Sequence, residues 1–217
     1  MPPPRRVAWL FALWVGVLTL LTGPLLLINP LFIGWLQDRH DVADKLRISQ
    51  GELDRINGEI VWDIISGGDF DVAFVDGQPV LDADERSHMG DVSRLVRILV
   101  ILDLVAMAFA AWGGRLLRTD PYRLGRMLVI GAGGVGVATV AIGLFAVVAW
   151  DSAFTLFHQL LFPPGTWSFP ATSTMILLYP PDFWFDAAMI AAALVLGTSA
   201  TLSIAGWRRM REASEAA

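Results

Sequence analysis

The chain has 217 residues, 55% of them apolar, a mean hydropathy of +0.56 and a formal charge of −5, and its apolar residues come in blocks of bilayer length. A soluble domain of this size is not so apolar, and the chain reads as an α-helical integral membrane protein. The absence of cysteine excludes disulfides, thiolate metal sites and a cysteine nucleophile, and the acidic balance argues against nucleic acid as a partner.

Arg5 and Arg6 precede a nearly unbroken apolar run at 7–28, long enough to cross a hydrocarbon layer of about 30 Å. It lacks the short apolar core and small-x-small site of a cleaved signal peptide, so it is expected to stay as the first spanning helix. Asn29-Pro30 should kink or end that helix, with residues 31–36 continuing along the interface.

Residues 37–91 are polar and mostly acidic, and are expected to form a small α+β cap. Ser49-Gln50-Gly51-Glu52 has capping-box spacing, and Leu53, Ile56, Ile60 and Ile64 recur at helical intervals until Ser66-Gly67-Gly68. Phe70, Val72 and Phe74 then alternate with Asp69, Asp71 and Ala73, and Asp76-Gly77 predicts a hairpin turn. Asp82-Ala83-Asp84-Glu85 repeats the capping spacing and starts a helix that carries His88. With no proline to stop it, this helix should run through Gly90 into a second span at 95–112.

The loop 113–126 holds Arg115, Arg118, Arg123 and Arg126, and the third span is expected at 127–150. Residues 151–185 form a loop rich in aromatic residues and proline, carrying His158 and interrupted by Pro163-Pro164-Gly165. The fourth span is expected at 186–207, followed by Arg208, Arg209 and Arg211. The basic residues at 5–6, 113–126 and 208–211 share a side if there are four spans, which puts both termini in the cytoplasm. The cap and the 151–185 loop then face the extracytoplasmic side, within a single membrane domain over 1–217.

Ile130-Gly131-Ala132-Gly133-Gly134-Val135-Gly136 matches the glycine pattern of a dinucleotide-binding turn, but it lies inside a spanning run with no strand before it. Ala132, Gly136 and Gly143 are read instead as a small-residue face for close helix packing. Asp103, near the middle of the second span, is expected to bond to a neighbouring helix through Thr19, Thr22, Thr139, Thr198 or Ser199. The helical rise places it about 22 Å along the axis from His88, too deep to act with that residue.

Of the three histidines, His40 sits in the charged run Gln37-Asp38-Arg39-His40-Asp41 and reads as solvated. His88 has Glu85 and Asp91 three residues away on either side, so one helix face can present an imidazole with a carboxylate to orient it. His158 has Asp151 and Thr155 on its side of a helix and aromatic residues around it. Taken singly, either is an interfacial structural histidine. As a pair on one side of the membrane, each with an acid near it, they are a candidate for catalysis. No HExxH helix supplies two close ligands and no G-x-S-x-G elbow is present, so neither a metal nor a serine nucleophile is expected.

His88-Met89-x-Asp91-Val92, then Phe157-His158-x-x-Leu161-Phe162 and Trp167, then Ile176 and Pro180-Pro181-Asp182-Phe183-Trp184-Phe185, resemble the bacterial lipoprotein intramolecular transacylase family in order and spacing. The resemblance implies a four-helix plasma-membrane protein whose cap closes over an aromatic-lined site, working without a cofactor. It implies transfer of the sn-2 acyl chain of a diacylglyceryl-cysteine lipoprotein to the α-amino group of the same cysteine, giving a lyso-form lipoprotein. The partners implied are a lipidated protein and membrane lipids. The family's two catalytic histidines fall on His88 and His158. Ser93 stands where many relatives have a lysine and Ser173 where an acid is expected, departures that bear on substrate more than on fold.

Residue chemistry fits such a reaction. An α-amino group with a pKa near 7.7–8.0 is partly neutral, and an imidazole near 6.5 can take its proton as it attacks an ester. The second imidazole can protonate the leaving glyceryl oxygen or stabilise the oxyanion, and the sequence does not say which histidine does which. Met89, Phe157, Phe162, Trp167 and Trp184 are expected to line the substrate pocket. Arg94 and Arg97 are expected either to bind a phosphate or carbonyl there or to snorkel as anchors. A non-catalytic membrane protein whose cap binds a partner is the competing reading, and a small-molecule transporter a weaker one, since no inverted repeat or broken-helix pair is visible.

Overall fold

Apolar runs bounded by caps, prolines and arginines become long helices in the computed structural model, which describes residues 4–216. The helices are α1 Arg5–Leu26, α2 Pro30–Arg39, α3 Val42–Leu46, α4 Gln50–Ser66, α5 Ala83–Leu117, α6 Pro121–Leu128, α7 Gly134–Val148, α8 Trp150–Leu161, α9 Thr174–Leu178 and α10 Pro181–Glu215. A π-helical turn, Val129–Gly133, joins α6 to α7 without a break. Four stretches are long and apolar enough to cross a membrane: α1, α5, Pro121–Val148 and α10. Their lipid-length windows bury few side chains within the protein, as a surface that meets lipid requires.

The chain divides into two compact units. One takes the chain up to Leu25, Leu99–Phe145, and the chain from Ala191 on. Its core gathers Phe11, Val15, Leu117, Leu124, Met127 and Ala132. Helices approach closely where side chains are small. A Cβ on Gly131 would meet the Ala12 carbonyl oxygen, and one on Gly136 would meet the Ser199 hydroxyl. That hydroxyl donates to the Ala132 carbonyl at 2.8 Å. The glycine-rich motif is thus packing surface, as expected, but Gly143 has open space beside it and takes no part. Asp103 is buried and accepts a 2.9 Å bond from the Thr22 hydroxyl, so the carboxyl has a partner on a neighbouring helix.

The other unit comprises Leu26–Ile98 and Ala146–Ile190. Asn29 ends the approach from α1 and opens α2: its side-chain oxygen accepts from the Phe32 N–H at 3.0 Å, and Pro30 sits at the first helical position, where its missing N–H is harmless. In α4 the Ser49 hydroxyl accepts from the Glu52 N–H at 3.2 Å, and Leu53, Ile56, Ile60 and Ile64 are buried on one face. Gly67 closes the helix at φ 82°, a left-handed conformation that suits a residue without Cβ. The core joins that face to Leu36, Phe70, Val72, Leu81, Leu178 and Phe183. Buried polar ties hold the same pieces: the Gln37 amide donates to the Leu178 carbonyl at 3.3 Å, and the Ser93 hydroxyl to the Ile64 carbonyl at 2.9 Å.

The expected hairpin is reduced to a turn. Phe70 and Val72 are buried and Asp69 and Asp71 exposed, as the alternation predicts. The Val80 N–H donates to the Val72 carbonyl and the Phe74 N–H to the Gln78 carbonyl, both at 2.9 Å, yet the ladder amounts to one bridge between Ala73 and Pro79. Phe70 at φ 58° bends the chain out of the extended region at its start. Among the described residues there is no strand, so the unit is helical where an α+β cap was expected.

Candidate active site

The start of one helix and the end of another position the two imidazoles. At the first, Asp82 and Glu85 cap α5 reciprocally: the Glu85 N–H donates to Asp82 Oδ1 at 2.8 Å and the Asp82 N–H to Glu85 Oε2 at 2.9 Å. His88 follows one turn later and is 6% exposed. For the second, Ala149, at φ −138° and ψ 57°, breaks the chain out of helix between α7 and α8, and α8 then carries His158 on its last turn. The His88 and His158 ring centroids lie 6.2 Å apart, with planes 28° from parallel.

Aromatic rings fill the space around the pair. Phe162 contacts both imidazoles, at 4.9 Å from His88 and 5.5 Å from His158. Phe169 lies 5.7 Å from His88. Phe154, Trp167 and Phe157 lie 4.1, 5.0 and 5.3 Å from His158. The Nδ1 atom of His158 is 2.8 Å from the Phe154 carbonyl oxygen. A carbonyl only accepts, so Nδ1 carries the hydrogen, and Nε2 of the neutral ring keeps its lone pair. Burial lowers the pKa of His158 from its usual 6.5, opposed by that backbone bond. The neutral ring, with one nitrogen committed to the backbone and the other free to accept a proton, is the form this environment favours.

The other expected site residues divide. Phe157, Phe162 and Trp167 lie against the histidines. Glu85 does not orient His88: it is buried, with Oε2 on the Asp82 N–H and Oε1 accepting from the Met175 N–H at 3.0 Å. Asp91 pairs with Arg94 at 2.9 Å, and Asp151 is exposed. The Arg97 guanidinium lies against Gly67 at the end of α4. Met89 is buried in the hydrophobic core, and the Trp184 ring packs on Tyr179 and Phe183 at 6.0 and 5.3 Å. His40, expected to be solvated, faces the Asp186 carboxylate at 3.3 Å with a side chain only 15% exposed.

Two wall residues were not anticipated. Phe154 was legible as the residue one helical turn before His158. Phe169 sits in an irregular loop with no periodicity to mark it. Among the described residues no three of His, Asp and Glu come together in a way that could hold a metal ion.

Comparison with known proteins bears on what this arrangement is. The profile of the family described as "Lipoprotein intramolecular transacylase Lit" matches residues 10–184, a stretch that includes both histidines and every wall residue. Among solved structures, the membrane integral lipoprotein intramolecular transacylase Lit from Bacillus cereus superposes with a TM-score of 0.84 at 18% identity, over 98% of each chain. A histidine-to-arginine mutant of that protein gives 0.78 at 17% identity, over 98% of this chain and 94% of the other. At these identities the likeness is one of fold. An uncharacterized protein of Aquifex aeolicus is 36% identical over 53 residues, which span 24% of this chain and 24% of that relative. The match of the family profile to most of the sequence shows that the chain belongs to the lipoprotein intramolecular transacylase family.

Proposed function

We propose that the chain transfers the sn-2 acyl chain of a diacylglyceryl-cysteine lipoprotein to the α-amino group of the same cysteine, leaving a lyso-form lipoprotein, with His88 and His158 as its catalytic residues. The observation that carries this reading is the 6.2 Å pairing of the two imidazoles inside a ring of aromatic side chains. The substrate supplies its own nucleophile, so the protein needs a proton acceptor, a proton donor and a pocket that holds amine and ester together.

His158 is the base. Its Nδ1–H is fixed on the Phe154 carbonyl, so Nε2 is the nitrogen that takes the amine's proton during attack. As the ester bond breaks, the proton that His158 took from the amine passes to the glyceryl oxygen, and His88, 6.2 Å from His158 and packed on the same Phe162 ring, donates its N–H hydrogen bond to that oxygen. Phe157, Phe162, Trp167 and Phe169 exclude water, which would otherwise hydrolyse the ester, and hold the glyceryl region beside the two rings.

The arrangement of basic residues supports a bacterial plasma-membrane protein with cytoplasmic termini and the site on the extracytoplasmic side, where membrane lipids and the lipidated protein meet it. Arginines flank the first span at 5–6, fill 113–126 and follow the last span at 208–211, whereas 151–185 has none.

The test uses a synthetic diacylglyceryl-cysteine lipopeptide with acyl chains of different length at sn-1 and sn-2, mixed with an isotopically heavy peptide bearing other chains. Tandem mass spectrometry is expected to find only the sn-2 chain on nitrogen, and light chains only on light peptide. Movement of the sn-1 chain, or exchange between light and heavy peptides, would contradict the proposal.

A further inference from the structure

The Trp167 indole nitrogen is buried and has no hydrogen-bond partner in the protein. A buried indole N–H nearly always has an acceptor, and one left over beside a reactive pair calls for an explanation. Its ring lies 5.0 Å from His158. Nδ1 of His88, in the same cluster of rings, is likewise buried without a partner. The acceptors and donors nearby are already committed. The Phe154 carbonyl is taken by His158, and the Thr166 hydroxyl donates to the Pro163 carbonyl at 2.9 Å. At the start of α9 the Met175 N–H is held by Glu85 and the Ile176 N–H by the Ser173 hydroxyl at 3.3 Å, so this helix end offers neither to a ligand.

We infer that Trp167 is a catalytic residue whose indole N–H donates to the carbonyl oxygen of the sn-2 ester and holds the oxyanion that forms there. The inference rests on the transacylase reading above and assigns a donor that this reading lacks. As the α-amino nitrogen bonds to the ester carbon, its proton passes to Nε2 of His158, and the carbonyl electron pair moves onto oxygen, where the indole N–H meets it. The intermediate collapses when the bond from carbon to the glyceryl oxygen breaks. That oxygen takes a proton from an imidazole, and an amide remains. A preorganised donor in a water-poor site acts most strongly when charge develops on the oxygen, so its effect falls on the chemical step rather than on binding.

The experiment replaces Trp167 with 3-benzothienylalanine, which keeps the shape of the ring system and exchanges N–H for sulfur, alongside Trp167→Phe. Each is assayed on the diacylglyceryl-cysteine lipopeptide in proteoliposomes. The expected result is a fall in kcat of about 100-fold in both, with KM little changed. Wild-type kcat in the benzothienyl protein, or a loss confined to KM, would overturn the inference and leave Trp167 as a wall of the pocket. A second measurement needs no variant to fold: the indole ¹H–¹⁵N resonance of Trp167 in the wild-type protein, with a lipopeptide whose sn-2 ester is replaced by an alkylphosphonate. A downfield shift on binding is expected, and an unmoved resonance in the bound protein would overturn the inference. Wild-type protein that binds the phosphonate yet leaves the ester intact would refute the transacylase reading, a failure distinct from that of Trp167 alone.

Discussion

At the scale of single residues, the hydrogen bond from His158 Nδ1 to the Phe154 carbonyl fixes the tautomer and leaves Nε2 as the free nitrogen, the one the proposed mechanism uses as base. Burial lowers this histidine's pKa from 6.5. For a histidine, a lowered pKa means that the neutral, proton-accepting form persists through the neutral range and is lost only as the pH falls below 6.5. With three histidines in the chain, selective isotope labelling can follow each titration by NMR. The His158 midpoint is expected below 6.5, and a midpoint at or above that value would contradict the assigned environment. In kcat/KM the acid limb should follow the substrate's amine, near pH 7.7–8.0, because the amine loses its neutral form before the imidazole does. Of the three histidines the sequence offers, the structure brings His88 and His158 together. The orienting role expected of Glu85 is not what its contacts provide, since both its oxygens are held by backbone N–H groups: helical spacing shows that side chains share a face, but not which partner arrives from elsewhere.

Glu85 shows at the scale of elements what that partner is. One oxygen caps its own helix and the other reaches the Met175 N–H, 90 residues on, so one carboxylate ties the start of α5 to the start of α9. Glu85→Ala leaves two backbone N–H groups unpaired, at least one of them buried. It should destabilise the protein by about 1–3 kcal/mol, read as a lower thermal midpoint in detergent, whereas Glu85→Gln keeps an acceptor and should lose less. Equal loss in the two variants would argue against the tie. Glycine packing gives a paired prediction. Gly136→Val drives a side chain into Ser199 and should cost about 1–3 kcal/mol, while Gly143→Ala, with open space beside it, should leave the midpoint unchanged.

Helix starts with side-chain caps could be read directly, as at Ser49 and Asp82, and so could the buried face of α4. The hairpin could not be read so fully, because alternation reports which side chains turn inward and does not report whether backbone pairing continues past Pro79.

The whole molecule is four candidate spans whose polar connections differ sharply in charge, and apolar length and arginine placement are properties a sequence displays openly. The extents are less exact. The helices that carry the second and fourth spans have 35 residues each, and the first of them begins, as its capping signal indicated, in the polar turn at Asp82–Glu85. Absence of cysteine makes the chain its own background for a topology test. A single cysteine at Asp76→Cys should react with a membrane-impermeant maleimide added to intact cells. One at Arg118→Cys should react only after lysis, and the opposite pattern would invert the assigned topology.

The most direct test of the central claim is mass spectrometry of lipoprotein N-termini after incubation of diacylglyceryl substrate with purified protein in liposomes. Wild type should convert the diacyl form to the lyso form with one acyl chain on nitrogen. His158→Ala and His88→Ala should each lose at least about 100-fold in rate while remaining folded. Full conversion by either variant, or an unchanged substrate with wild type, would contradict the two-histidine account.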